Sequence, residues 1–432
     1  MSTTIIPAAR SLPAPDQAGG WMIHSCQALL HRWLERIEHG RVTIIDGERQ
    51  RTFGSPPQDP ANEPHCTLTV HHPRFYRDAV LGGHLAASES YVHGLWDCDD
   101  LTALVRIFAR NLQLSDEMDA LSVKLGGLAL RLGHWLKRNT TRGSRANIAA
   151  HYDLGNDFFE QLLDPTMMYS AGVFPNDGTP LHQAQLIKLD RLCQKLDLTP
   201  TDHLLEIGTG WGGLALHAAK HYGCKVTTTT LSKEQHDYAA ARFREHGVEH
   251  LVDLRMQDYR ELEGQYDKLV SVEMIEAVGH KYYPTFFAAC DKLLKPTGRG
   301  VIQCITIADQ RYDQARKTID FIKKYVFPGS CIPSINALNR AMSKASSLRM
   351  THLEDLTPHY ATTLHHWHRR MIRHRGEILA LGYPEQLLRM WSFYLAYCEG
   401  GFIERNIGLV HFEVRKPGCA DAPLSVEPIG AG

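Results

Sequence analysis

Four glycines in the stretch Leu204-Leu-Glu-Ile-Gly-Thr-Gly-Trp-Gly-Gly213 constrain this chain more than any other feature. The apolar start reads as a short strand, the glycines as a tight turn, and residues 214–220 as the helix that follows. Backbone without side chains at Gly208, Gly210, Gly212 and Gly213 lets a ligand approach the turn and the helix start. Gly208, Gly210 and Gly213 also satisfy G-x-G-x-x-G, the fingerprint of dinucleotide sites. Such a site needs an acid about twenty residues further on for the ribose. Here that region reads Val226-Thr-Thr-Thr-Thr-Leu231 and carries none.

Glu206, two residues before the first glycine, points to a different ligand. A carboxylate at the end of that strand suits a cationic methionine moiety, which favours S-adenosylmethionine (SAM) over a nicotinamide dinucleotide. Residues 203–207, 225–230, 268–272 and 300–307 read as strands with helical segments between them. That alternation predicts a doubly wound, Rossmann-like α/β domain of the SAM-dependent methyltransferase kind, with ligands at the carboxyl ends of its strands.

With 432 residues there is room for more than this domain. Residues 21–112 read as a small α+β unit. Leu29, Leu30, Trp33, Leu34 and Ile37 form a helical stripe, Val42 to Gly47 a strand and turn, and residues 67–70 a second strand. Residues 113–145 read as a basic amphipathic linker. No acid lies between Asp119 and Asp153, while Lys124, Arg131, Lys137, Arg138, Arg142 and Arg145 do, with Leu121, Leu125, Leu128, Leu132 and Trp135 at helical spacing. An anionic membrane surface would hold such a helix, and so would a neighbouring domain. Residues 1–20 and 417–432 read as disordered tails. The net charge of −1 gives no general attraction to nucleic acid, and ten cysteines without a C-x-x-C pair suggest reduced thiols in the cytoplasm. No run of 18 apolar residues spans a membrane, and no signal-peptide core is present.

Several segments taken together resemble the cyclopropane-fatty-acid synthase family, which includes the mycolic acid cyclopropane synthases. They are His151-Tyr-Asp-Leu-Gly-Asn-Asp-Phe-Phe159, Leu163-Asp-Pro-Thr166 with Tyr169-Ser170, Leu231-Ser-Lys-Glu-Gln235, Glu276 before Val278-Gly279, Phe327-Pro-Gly329 with Ile332-Pro-Ser334, and Pro358-His-Tyr360. The likeness spans residues 146–416, and Gly94-Leu-Trp96 extends it to the accessory domain of longer members. It implies a SAM-binding domain with a helical lid. The implied activity is transfer of a methylene group to the cis double bond of an unsaturated phospholipid acyl chain. The enzyme would work from the cytoplasm as a peripheral protein at the inner membrane surface; whether it is a homodimer is left open.

By the same resemblance, Tyr169, Ser170, Gly208, Gly210, Thr230, Leu231 and Gln235 line the SAM pocket, with Glu206, Trp211 and Gly212 of the glycine turn. Asp258 and Tyr259 lie at the adenine. Methyl transfer to an alkene leaves a carbocation, so the site must exclude water, and a base must then remove a proton. In the family that role is attributed to a bound bicarbonate. Glu276, Tyr360 and the amide of Ile305 match three of its contacts. The family's cysteine and histidine are Ala171 and Gln303 here. Alanine's side chain makes no hydrogen bond, whereas glutamine still donates to an anion. Cys304, on the other face of the strand, replaces neither. These departures imply either a more weakly bound bicarbonate or Glu276 serving with water or alone. Slow proton loss would allow a hydride shift and a methyl- or methylene-branched chain instead of a ring. Methylation of a small amine and an inactive lipid-binding homologue are the other readings. The run His365-His-Trp-His368 reads as a solvated or headgroup-facing face rather than a metal site, and Lys323 and Lys324 as solvated by default with lipid phosphate as the alternative. Trp391, Phe393, Tyr394 and Tyr397 read as core, with an acyl-tunnel wall as the alternative for some of the rings.

Overall fold

In the computed structural model the described residues, 20–56, 59, 62–118 and 154–419, build two sheets. The smaller contains β1 (Arg41–Asp46), β2 (Arg49–Phe53), β3 (His65–Val70) and β4 (Trp96–Cys98) in the order β2-β1-β3-β4. β1 and β2 form a hairpin at Gly47, whose φ of 59° suits glycine. Val42 and Ile44 alternate into a core shared with Leu30 and Leu34 of the helix Gly20–Leu34, Phe75 and Tyr76 of the helix Arg74–Val92, and Ile107 of the helix Leu101–Arg110. Strands β2 and β4 were not anticipated; β2 is four-fifths exposed polar residues and has no apolar alternation to detect.

The larger sheet contains β5 (His203–Ile207), β6 (Lys225–Thr229), β7 (Val252–Arg255), β8 (Tyr266–Val272), β9 (Leu294–Ile307), β10 (Arg349–Asp355) and β11 (Ile407–Arg415). Its order is β10-β11-β9-β8-β5-β6-β7. Strands β5 to β9 run parallel, and β11 and β10 close one edge antiparallel. Leu204, Leu205 and Ile207 are all buried, as a central strand covered on both faces requires. Strand order reverses at β5, which lies between β8 and β6, so a crevice opens beyond its carboxyl end. The anticipated doubly wound α/β fold is the one observed, with three further strands, β7, β10 and β11.

A helical layer covers this crevice. Tyr360, Thr363, Leu364, Trp367 and Met371 form one buried stripe on the helix Thr357–Arg373, and Trp391, Tyr394 and Leu395 one on the helix Glu385–Ile403. Both pack on Phe158 and Phe159, and Trp391 and Tyr394 are core as anticipated. Lys323 and Lys324 are less free than expected: Lys323 donates to Thr318 O at 2.9 Å and Lys324 to Glu89 at 2.6 Å. The basic segment 119–145 and the tails 1–19 and 420–432 lie outside the described residues. Among the described residues no helix is long and apolar enough to cross a membrane.

The helix Glu385–Ile403 also seats the smaller sheet. Arg389 stacks on Tyr91 at 4.1 Å, donates to the carbonyls of Tyr91 and Trp96 at 2.8 and 3.0 Å, and pairs with Asp97 at 2.7 Å. Removing this one side chain in Arg389→Ala should cost about 2 kcal/mol. Urea unfolding should show that loss, and limited proteolysis should show earlier cleavage between the two sheets. Unchanged curves would mean that the seating rests on apolar contact alone.

Candidate active site

The glycine turn builds the floor of a cleft beyond β5. Gly208, Gly210 and Gly212 have φ of 103°, 54° and 83°, conformations that L side chains rarely adopt. Gly213 has an ordinary φ but no room: a Cβ there would lie 2.6 Å from Met168 Sδ and 2.7 Å from Thr166 O. The cleft is lined by Tyr169, Ser170, Glu206, Gly208, Gly210, Trp211, Thr230, Leu231, Gln235, Asp258 and Tyr259, all of them expected. Gly212 is the exception. It turns away from the cleft, and a Cβ on it would meet Phe243 and Ala239. Its role is to start the helix Gly213–His217.

The polar groups of this cleft are held ready. Thr228 donates to Glu206 Oε2 at 2.6 Å, and burial pushes the Glu206 carboxyl up to about 8, opposed by that hydrogen bond and by Lys188. A buried carboxylate with a raised pKa is stabilised by a cation placed beside it. Gln235 accepts from Thr230 at 3.1 Å, while its buried Nε2 has no partner in the fold. Asp258 receives Arg260 at 2.8 and 2.6 Å. Trp211 donates to Asn156 at 2.7 Å. Tyr169 stands at the edge of an aromatic wall, 5.1 Å from Trp367 and 6.3 Å from Trp391, with its hydroxyl 2.8 Å from that of Tyr394. This set fits SAM: glycines for a close backbone approach, a buried acid for a positive charge, and an unused amide donor.

Glu276, Gln303, Ile305 and Tyr360 come together, but not as an open anion site. They lie behind Glu273, which faces the cleft as the first residue after β8. The amide of Ala171 donates to Glu273 Oε1 at 3.0 Å, Gln303 Nε2 donates to the same oxygen at 2.7 Å, and Tyr360 donates to Oε2 at 2.6 Å. Burial keeps the Tyr360 phenol well above its usual range, so it stays a donor. Ile305 donates its amide to Glu276 Oε1 at 2.5 Å instead of to a free ion. The bicarbonate expected here therefore does not fit: its donors are already bound to carboxylates of the chain, and another anion would lie against Glu273.

Glu273 was missed in the sequence, although an acid directly after a parallel strand is where an α/β fold places ligand contacts. Two more buried residues were missed. Lys188, 0% exposed, donates to Ser170 Oγ at 2.8 Å. Burial lowers it to about 8, against the pull of Glu273, Asp164 and Glu206. His411 lies 2.9 Å from Gln303 Oε1 through its Nε2, and burial lowers it to about 3, so the ring is neutral. Cys304 packs in the apolar core on the opposite face, as its strand position implies. The histidine run is structural on its helix: Trp367 is buried, and His365 lies 3.3 Å from Glu399.

Of the two neighbouring acids, Glu273 has three donors and Glu276 one. Burial raises both carboxyls; at Glu273 the three donors and Lys188 oppose the rise, whereas at Glu276 the Glu273 charge adds to it and takes the group up to about 8. Of the pair, Glu273 is thus the better placed to carry the charge.

Over residues 139–412 the sequence matches the family described as mycolic acid cyclopropane synthetase. It is 36% identical over 399 residues to a tuberculostearic acid methyltransferase of Mycobacterium tuberculosis, covering 87% of this chain and 88% of that one. It is also 36% identical over 355 residues to the cyclopropane-fatty-acyl-phospholipid synthase of Escherichia coli, covering 79% and 86%. A solved mycolic acid cyclopropane synthase complexed with S-adenosylhomocysteine (SAH) superposes with a TM-score of 0.59 and 30% identity, covering 63% of this chain and 98% of that one.

Two outcomes follow from this geometry. Gly213→Ala should lower SAH affinity more than about tenfold, about 1.4 kcal/mol, in calorimetric titration, because the turn must shift to admit the methyl group. Glu276 carries a proton in the folded chain that the unfolded chain releases near the ordinary value of 4.5. Its contribution to stability is thus full below that value and is lost as pH rises to about 8. Glu276→Gln removes this slope, so its melting temperature should gain on the parent's across that window. Parallel curves would show that Glu276 is ionised.

Proposed function

The chain belongs to the mycolic acid cyclopropane synthetase family, and from that premise we propose that it methylates a cis double bond in a phospholipid acyl chain, giving a branched product. It is a SAM-dependent methyltransferase that modifies acyl chains. The names of its relatives support the acyl substrate and the methyl transfer. The cyclopropane-fatty-acyl-phospholipid synthase supports the phospholipid substrate while its name speaks for a ring, and the tuberculostearic acid methyltransferase supports methyl transfer to a fatty acyl chain.

When bound, SAM supplies a methyl group on a sulfonium, an electrophile strong enough for an unactivated alkene. Glu206 and Gln235 would hold its charged end and Asp258 and Tyr259 its adenosine, over the backbone of Gly208 and Gly210. The alkene needs no base to activate it, so the chain's contribution at that stage is orientation. Tyr169 lines the cleft with the buried rings of Trp367 and Trp391 packed against it, so its face would meet the cation that develops on the acyl chain while the apolar rings around it keep water away.

The observation that carries the branched product is the Glu273 carboxylate fixed by Ala171, Gln303 and Tyr360. Ring closure requires the incoming methyl group to lose its proton before a neighbouring hydrogen migrates. A carboxylate that already accepts three hydrogen bonds is a weakened base. Slower proton loss gives the cation time to move to the more substituted carbon by a hydride shift. Ring closure, which the sequence alone put first, becomes the second reading. Basic residues from Lys124 to Arg145, outside the described residues, suit an anionic bilayer and make its inner surface the proposed place of work.

Cells expressing the chain and fed CD3-methionine test this reading. Their phospholipids should carry labelled acyl chains that ozone cleaves at the branch. Labelled chains that resist ozone and show the high-field ring protons of a cyclopropane in NMR would overturn the branched product. Unlabelled lipid, with a known synthase active in parallel, would overturn the phospholipid substrate.

A further inference from the structure

Glu273 sits in a backbone conformation that its type rarely adopts, with φ at 49°. A left-handed conformation costs a non-glycine residue roughly 1–2 kcal/mol and persists where surrounding contacts fix it. Here the backbone amide of Glu273 donates to Gln303 O at 2.8 Å, and its side chain is bound by three donors from three separate segments. A glycine would relieve the strain but would leave Ala171 N, Gln303 Nε2 and Tyr360 OH aimed at an empty space of carboxylate size.

We propose that Glu273 is the proton acceptor of the reaction, built into the chain in place of a soluble bicarbonate ion, and that Gln303 and His411 position it. The assignment rests on the alkene-methylation reading above. A carboxylate has four lone-pair sites. Oε1 uses two of its sites for Ala171 and Gln303, and Oε2 uses one for Tyr360. One site on Oε2 is left for the substrate proton. Glutamine rather than histidine at 303 supplies an N–H that does not titrate, so this donor stays the same whatever the charge on Glu273. The orientation of that amide is fixed from behind: His411 Nε2–H donates to Gln303 Oε1, which turns Nε2 toward Glu273. His411 touches no reacting atom and is a positioning residue.

The balance of the step is complete without another reactant. The alkene electron pair forms the new C–C bond while the C–S pair stays on sulfur, giving a neutral thioether. After a hydride shift the cation sits beside the new methyl group. Glu273 takes a proton from that methyl, the C–H pair becomes the methylene double bond, and the neutral acid returns the proton to water once product has left.

The test uses the full purified chain, SAM and vesicles of unsaturated phospholipid, in buffers scrubbed of carbon dioxide or supplemented with bicarbonate. The parent should have the same turnover in both. Glu273→Gln should lose about 10²–10⁴ in kcat, with SAH affinity retained and no response to bicarbonate, because the amide still fills the space. Glu273→Gly, which relieves the strained φ, should fold, bind SAH and regain turnover when bicarbonate or formate is added. His411→Ala should lower kcat with little change in KM. A parent enzyme that fails without bicarbonate, or Glu273 variants with parental kcat, would overturn the assignment while leaving alkene methylation in place. A parent that methylates no lipid in either buffer would remove the underlying reading and this assignment with it.

Discussion

Keeping one carboxylate charged where little water reaches it is the constraint on which the rest of this site depends. Left without partners, a desolvated carboxylate takes up a proton instead of bearing its charge. Donors therefore converge on Glu273 from the loop at Ala171, from β9 through Gln303, and from the helical lid through Tyr360. Lys188 adds a positive charge from beneath the cleft, and the Glu273 charge pushes Glu276 toward its neutral form, which keeps two negative charges from facing each other. Loop, sheet and lid are thus tied to the same functional group. A displacement of any one of them would be felt as a change in charge at the site.

The aromatic wall follows from the same constraint. Tyr360 can donate to Glu273 because its ring is clamped, stacked 4.4 Å from Phe402 and edge-on to Trp367 at 6.3 Å. Those rings belong to the lid's apolar stripe, so the residues that hold the lid down also aim the phenol. The helix Glu385–Ile403 extends this coupling to the smaller sheet. Glu399 accepts from Thr102 at 3.2 Å, and just beyond the helix Glu404 receives Arg106 and Arg110 at 2.7 and 2.8 Å.

What the sequence disclosed was mostly local. The strand His203–Ile207 and its glycine turn are a continuous apolar run and a backbone requirement, and both were legible to the residue. Strand β10 was not, because Arg349–Asp355 is a largely exposed edge whose side chains show no alternation. The cleft-lining residues were legible through the family resemblance, with Gly212 misassigned because a glycine of the turn need not face the ligand. Glu273 escaped because its neighbour Glu276 matched the expected acid, and because nothing in a sequence marks a left-handed glutamate. Lys188 and His411 escaped for a different reason. Charged and polar residues on a helix and a strand are ordinarily solvated, and only the packing of distant segments buries these two.

The order of the antiparallel edge has a consequence for how the enzyme comes into being. β11 lies between β9 and β10 and is the last of the seven strands in the chain. Its register sets His411 opposite Gln303. During synthesis, then, β10 has no neighbour to pair with, and the oxygen of the Gln303 amide lacks the His411 donor that holds it, until residue 411 has left the ribosome. A nascent chain can form the glycine turn and the cleft long before it can orient its base. Competence to complete the chemistry arrives late and all at once, with the closing of the sheet.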